Sequence, residues 1–263
     1  MKVAVVTGAA GAIGAAVCLR LVERGLHVFA VDVDEEGLKR LPAQVTPVRC
    51  DLTDPASYEL VAAAVREGAG RCDVLVNNAG IVVTTPFEEA SAQELLREQQ
   101  LNLQAPMLLT RALFPLLREA RGQVISVVSL GALLPLAQSP GYSASKFGLR
   151  GFLLGLAMRE KETGIRISIV NPAAVDTPML RHEAATGGSP LNFLGRPMQP
   201  GTVAEAVVGR LDRPRLETNL PASDGWLVKA AMLAPGLVRR ARPVLERAAR
   251  PALKRYQRRY GIS

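Results

Sequence analysis

The stretch "KVAVVTGAAGAIGAAVCLRLVERG", Lys2 to Gly25, decides the fold. Val3 to Thr7 is a short, β-branched run that ends on glycine, which reads as a buried strand. Gly8 to Gly14 is a turn of glycine and alanine. Ile13, Val17 and Leu21 then recur on one helical face, and Gly25 is a helix stop. Strand, glycine-rich turn and helix, in that order, open a βαβ unit.

The alternation continues through residue 170. "HVFAVDV" is a second strand, and Asp34 has the position of an N-cap with Glu35 and Glu36 in the first turn behind it. "VTPVRC", "DVLVNN", "QVISVVS" and "RISIVN" are further short apolar runs. Helical segments are expected near 54–68, 88–119 and 142–163. The pattern implies an α/β fold: a Rossmann-like, doubly wound parallel sheet with helices on both faces. No repeat or linker interrupts it, so residues 1–263 are expected to form one domain. Ligands of such sheets sit at the carboxyl ends of the strands. The turns to search are therefore "TGAAGAIG", "DVDEEG", "CDLTD", "NNAG", "SLGA" and "NPAAVDTP".

Bulk properties narrow the classes. No apolar run approaches the ~20 residues of a membrane span, and "MKVAVVTG" enters a turn rather than a cleavage site. Cys18, Cys50 and Cys72 are odd in number and far apart, which suits reduced thiols and a cytoplasmic location. His27 and His182 have no ligand-like neighbours, so no metal is expected. The net charge of +8 is uneven. Residues 224–263 hold ten Lys/Arg and two Asp/Glu, and the rest of the chain is neutral.

The first turn suits a dinucleotide. Small residues let a pyrophosphate approach backbone N–H groups at a helix N-terminus. Asp32 follows Gly14 by eighteen residues, at the end of the second strand. A carboxylate there accepts hydrogen bonds from the adenosine ribose and repels a 2′-phosphate. No Arg or Lys stands at 9–12 or 33 to neutralise one, so NAD is expected over NADP. The other reading of Asp32 is a second cap beside Asp34.

"GYSASKFG", Gly141 to Gly148, sets Tyr142 and Lys146 one helical turn apart on one face. A phenol of pKa about 10 needs roughly 4 kcal/mol to titrate near 7. One ammonium at ~4 Å supplies about that much at an effective dielectric near 20. The spacing thus makes a proton-transfer pair if water is partly excluded.

Taken together, "TGAAGAIG", "NNAG", Asn102, Ser129, "YSASK" and "NPAAVDTP" resemble the short-chain dehydrogenase/reductase family over about residues 1–180. The resemblance implies an oxidoreductase acting on alcohols or carbonyls. It implies that Tyr142 is the general acid/base, that Lys146 lowers its pKa and holds the nicotinamide ribose, and that Ser129 binds the substrate oxygen. It implies that the main chain of Asn102 binds a water relaying protons to the lysine. Pro106, four residues on, has no N–H to give the Asn102 carbonyl, so the sequence itself frees that acceptor; the alternative is a plain kink. The implied NAD contacts are Gly8, Gly11, Ala12, Ile13, Gly14, Asp32, Asp51, Leu52, Asn78, Ala79, Gly80, Tyr142, Lys146, Pro172, Val175 and Thr177. Two positions depart from the family: Ala12 replaces a glycine and is tolerable at negative φ, and Ala173 replaces the glycine after Pro172. A regulator that binds NAD without turnover is the alternative function, and the presence of both Tyr142 and Lys146 argues against it.

Residues 176–200 occupy the family's substrate lid. The uncharged "LGALLPLAQSPG" after Ser129, with Met179, Leu180, Leu191, Phe193 and Leu194, is expected to form an apolar wall for a lipophilic substrate. Leu95, Leu108, Leu109, Phe147, Leu154 and Met158 are expected on second helix faces, as in a homodimer or homotetramer. In the basic tail, 224–263, Pro235, Pro243 and Pro251 imply several short helices rather than one. Its arginines and leucines either lie on an anionic membrane surface or pack on the body beside the lid with the arginines solvated. Few aromatics are available for stacking, which argues against nucleic acid.

Overall fold

The computed structural model describes residues 1–262. In chain order the elements are β1 Val3–Thr7, α1 Ala12–Glu23, β2 His27–Asp32, α2 Glu35–Lys39, β3 Val45–Arg49, α3 Ala56–Ala69, β4 Val74–Asn77, α4 Ala92–Gln99, α5 Ala105–Glu119, β5 Gln123–Val127, α6 Pro140–Ala157 and α7 Glu160–Thr163. They continue with β6 Arg166–Pro172, α8 Pro178–Thr186, α9 Pro200–Asp212, β7 Glu217–Leu220, α10 Ala222–Ala231 and α11 Pro235–Arg259. All seven strands are parallel, in the order β3-β2-β1-β4-β5-β6-β7.

The period-2 pleat sorts β1 between two cores. Val3 and Val5 enter one with the buried faces of α3, α5 and α6, including Val61, Leu113 and Leu153. Ala4 and Val6 enter the other with Val17 and Leu21 of α1 and Val203 and Val207 of α9. Burying each such side chain contributes about 1.5–3 kcal/mol. The strand order reverses between β1 and β4, so a crevice opens at their carboxyl ends.

Asp34 caps α2 as the sequence implied, its carboxylate accepting from the Gly37 N–H at 2.9 Å. Several boundaries differ from the sequence reading. The segment 88–119 is not one helix. It starts after Ser91, which forms a capping box with Glu94, and it widens into a π-turn over Gln100–Gln104 between α4 and α5. The segment 142–163 starts earlier, at Pro140, and breaks between α6 and α7. The short strand β7 went unread because "ETNL" is an edge strand with no fully buried side chain. The tail differs most. Pro235 opens a helix as expected, after α10 has ended at Ala231, but Pro243 and Pro251 do not divide the rest: α11 runs unbroken for 25 residues. Pro235 takes the first turn, where no N–H is needed. The other two prolines free the carbonyls of Arg239 and Arg247, both on exposed residues that water reaches.

Candidate active site

The helix α1 begins beyond Gly8–Gly11 without a cap. Gly11 is its N-cap and offers no side-chain hydrogen bond, and no acidic residue occupies the first turn. The amides of Ala12, Ile13 and Gly14 are therefore left for a ligand, and the helix dipole favours an anion there. Gly8 has φ of +62°, and a Cβ on it would lie 2.9 Å from the Ala79 Cα. A Cβ on Gly14 would lie 2.0 Å from the Gly8 carbonyl oxygen. Gly11 is exposed, and a Cβ on it would meet only the Gly8 carbonyl oxygen, at 3.3 Å. Ala12 is the first helical residue, with the negative φ that its methyl requires.

Asn78 latches this turn to the end of β4. Its Nδ2 donates to the Thr7 and Gly8 carbonyls at 3.0 and 3.1 Å, while the Asn78 and Ala79 amides donate to Thr7 Oγ1. Asp32 accepts from the Ala10 N–H at 2.9 Å and from the Asp34 N–H at 3.0 Å, so its carboxylate is fixed beside the turn. Arg49 is its register partner on β3, and the Arg49 guanidinium leans to Glu35 at 3.7 Å. Asp51 is held below the usual carboxylate range by the Thr53 amide and hydroxyl, against its partial burial. Leu52 is buried next to it. Pro172 ends β6, Val175 is buried, and the Ala173 N–H donates to the Leu220 carbonyl at 2.7 Å. Thr177 caps α8, its Oγ1 accepting from the Leu180 N–H at 3.3 Å.

Tyr142, Lys146, Asn102, Ser129 and Gly80 converge at the ends of β4 and β5. The Lys146 Nζ lies 5.5 Å from the centre of the Tyr142 ring. A Cβ on Gly80 would stand 3.1 Å from Asn102 Oδ1 and 3.3 Å from Lys146 Nζ. A Cβ on Gly131 would stand 3.1 Å from Ser129 Oγ and 3.2 Å from the Tyr142 ring. Asn102 is fully buried. Its Oδ1 accepts from the Ile81 N–H at 2.9 Å, and its Nδ2 donates to the Ile81 carbonyl and to Ser145 Oγ. In the π-turn around it the Ala105 N–H donates to the Gln100 carbonyl, one residue further back than in an α-helix. Asn102 thus sits on a locally widened helix, not on a simple kink.

The electrostatics of the pair depart from the sequence expectation. Tyr142 is pushed up, not down: burial dominates, opposed by the Ser129 hydroxyl and reinforced by the carboxylates of Glu183 and Glu98. Lys146 falls to about 8 because burial penalises its charge, with Glu98 holding it up in part. Burial disfavours the charged form of each group.

Two carboxyl groups of the site escaped the sequence reading. Glu98 is buried; its Oε1 accepts from the Val83 N–H at 2.7 Å, and its Oε2 has no partner among the described residues. The signal was available, because Glu98 stands one turn before Asn102. Glu183 lies on the lid helix α8, its Oε2 accepting from Asn192 Nδ2 at 2.9 Å, and burial raises its pKa to about 7. The lid wall is therefore not purely apolar. Leu180 and Phe193 are buried against Tyr256 of α11 instead of lining the crevice, while Leu194 is exposed. The tail binds the lid further through Asp176, which accepts from the hydroxyls of Tyr256 and Tyr260.

The chain is similar to known proteins along most of its length. The family described as short chain dehydrogenase matches residues 2–187. D-threitol dehydrogenase of Mycolicibacterium smegmatis is 37% identical over 220 residues, 79% of this chain and 84% of that one. A 3-beta-hydroxysteroid dehydrogenase of Comamonas testosteroni is 30% identical over 221 residues, 79% and 87% of the two chains. A short-chain dehydrogenase structure from Streptomyces avermitilis superposes with a TM-score of 0.77 at 31% identity, covering 95% of this chain and 97% of that one. A metagenomic short-chain oxidoreductase in complex with NADP gives 0.69 at 31% identity, covering 83% and 96%. The family match and these relatives define a nicotinamide-dependent oxidoreductase acting on CH–OH groups. The chain belongs to the short-chain dehydrogenase family.

Proposed function

We propose that this chain, as one domain over residues 1–263, is an NAD(H)-dependent enzyme interconverting a lipophilic alcohol and its carbonyl compound. The observation that carries the reading is the convergence of Lys146 and Asn102 at Gly80, with Lys146 5.5 Å from the Tyr142 ring, together with the uncapped N-terminus of α1. Nicotinamide supplies the hydride acceptor or donor. Ser129 Oγ holds the substrate oxygen, and Tyr142 takes its proton on oxidation and returns it on reduction. Lys146 holds the ribose and favours the phenolate, and the Asn102 main chain passes protons through a water. A bound pyridinium charge would oppose the upward push that burial gives Tyr142. Asp32 supports NAD, because a 2′-phosphate would meet a carboxylate already fixed by two backbone N–H groups. Asp51, Leu52, Asn78, Ala79, Pro172, Val175 and Thr177 complete the cofactor contacts.

The uncharged segment 130–141, with Leu134 and Leu136 half-buried, supports a lipophilic substrate. A second reading is a polyhydroxylated substrate, favoured by the Glu183 carboxyl near Tyr142. We also propose a homodimer or homotetramer in the cytoplasm, through α4, α5 and α6. Leu108, Phe147 and Met158 stay exposed there, as does Leu96, whereas Leu109 lies in the core and is withdrawn from that face. Light scattering at micromolar concentration checks the assembly.

The deciding experiment follows nicotinamide absorbance with NAD and a panel of steroid, fatty, simple secondary and polyhydroxy alcohols. Tyr142→Phe is expected to retain NAD binding and to lose at least about a hundredfold in turnover. Undiminished turnover in that variant would refute the mechanism.

A further inference from the structure

The tail is divided between two environments. One face of α11 is spent on the lid, where Ala249 and Tyr256 are buried. The other face is open. Leu237, Ala241, Val244 and Ala248 recur at intervals of four, three and four residues, so they form one stripe along the helix. Leu237 and Val244 are 63% and 66% exposed. The preceding helix α10 and its turn add Trp226, Leu227 and Leu233 at 76%, 71% and 87% exposed. Large apolar side chains left this open on adjacent helices call for a partner.

The charge around the stripe selects that partner. Arg240 and Arg247 border it, each three residues beyond Leu237 and Val244, and neither is in an ion pair among the described residues. The two acidic groups of the segment are already engaged. Glu246 accepts from Arg242 and Gln138, and Asp224 accepts from the Ser223 hydroxyl. A second copy of the same face would bring an equally cationic surface against it. Nucleic acid would leave the leucines unmatched, and Tyr256 and Tyr260 are turned inward to Asp176, so Trp226 alone is free to stack. No helix among the described residues is long and apolar enough to cross a membrane.

We propose that α10 and the first half of α11 dock flat on an anionic lipid bilayer, with Trp226, Leu233, Leu237 and Val244 at the acyl boundary and the flanking arginines on the headgroup phosphates. The buried face of the same helix holds α8 and the 3₁₀ turn Pro190–Phe193, so docking places the bilayer behind the lid. The inference does not depend on the catalytic reading.

Trp226 is the single tryptophan of the chain and reports directly on this face. The full chain is mixed with vesicles of phosphatidylcholine alone or with 30% phosphatidylserine, and Trp226 emission and co-sedimentation are read at low and high salt. Expected are a blue shift and co-sedimentation with the anionic vesicles, both weakened by salt. Each Arg→Glu change at 240 or 247 should weaken binding at least about fivefold. Leu237→Glu with Val244→Glu should abolish it while leaving the circular dichroism spectrum and the oligomeric state unchanged. The proposal is overturned by absent binding at low salt, by binding that ignores these substitutions, or by dissociation of an oligomer in the Leu237/Val244 variant. Retention on duplex DNA with no change of emission on anionic vesicles would overturn it in favour of nucleic acid.

Discussion

Tyr256 donates a hydrogen bond of 2.8 Å to Asp176 across 80 residues of chain, joining the last helix to the residue before the lid's N-cap. Burial by itself would raise Asp176, but the Tyr260 and Tyr256 hydroxyls and Arg181 outweigh it and hold the carboxyl below its ordinary value. Tyr256 also packs against Phe193 in a tilted arrangement, ring centres 5.0 Å apart and planes at 51°. The long tail is therefore clasped to Asp176, α8 and Phe193.

Tyr256→Phe keeps the ring and removes the hydroxyl. A hydrogen bond to a charged, buried partner is worth about 1.5–3 kcal/mol. The melting temperature is expected to fall by roughly 3–12 °C at about 2–4 °C per kcal/mol. Substrate KM should rise more than NAD affinity falls, which steady-state kinetics and cofactor titration separate.

Gly11 and Gly14 have different jobs. Gly14→Ala puts a methyl 2.0 Å from the Gly8 carbonyl, so the turn must move. It is expected to lose both stability and cofactor binding. Gly11→Ala meets only that same oxygen, at a tight 3.3 Å that a shift of a few tenths of an ångström relieves, and its φ of −73° suits alanine. It should melt within a few degrees of the parent yet bind cofactor weakly, because its methyl enters the crevice. Equal cofactor affinity in Gly11→Ala and the parent would show that the pyrophosphate lies elsewhere.

Asp32→Ala removes the charge that faces a 2′-phosphate. The NAD-to-NADP ratio of kcat/KM is expected to fall at least about tenfold, equivalent to 1.4 kcal/mol. Asp32→Asn should shift the ratio in the same direction and disturb the Ala10 contact less. A parent enzyme that prefers NADP would refute the role given to Asp32.

Glu217 makes stability depend on acid. Burial raises its pKa, but Arg150 at 2.6 Å and Lys229 at 2.7 Å outweigh this and bring it to about 2. The folded pKa lies below the unfolded value of 4.5, so the contribution is complete above pH 4.5 and lost as pH falls towards 2. Its size is about 3 kcal/mol at ~1.36 kcal/mol per unit. In denaturant titrations Glu217→Gln should be less stable than the parent at pH 7, and the gap should narrow progressively as pH falls from 4.5 towards 2. A gap that does not narrow would remove the ion pair as its source.

The sequence by itself determined the fold class and most of the crevice. The pleat and helix periods are local properties, and so are the Gly8–Gly14 turn, Asp32 at a strand end, and the one-turn spacing of Tyr142 and Lys146. Only the tertiary structure decided the rest, because it depends on what each side chain finds across the chain. Glu98 and Glu183 became part of the site through burial by distant elements. Tyr142 rose and Lys146 fell because the surrounding elements bury the lysine and partly bury the phenol. Leu180 and Phe193 look like a pocket wall in sequence, but Tyr256 of a remote helix covers them. Pro243 and Pro251 read as helix breaks because proline withholds an N–H. They stand inside one helix because its exposed side lets water satisfy the freed carbonyls, while its buried side is anchored to the lid.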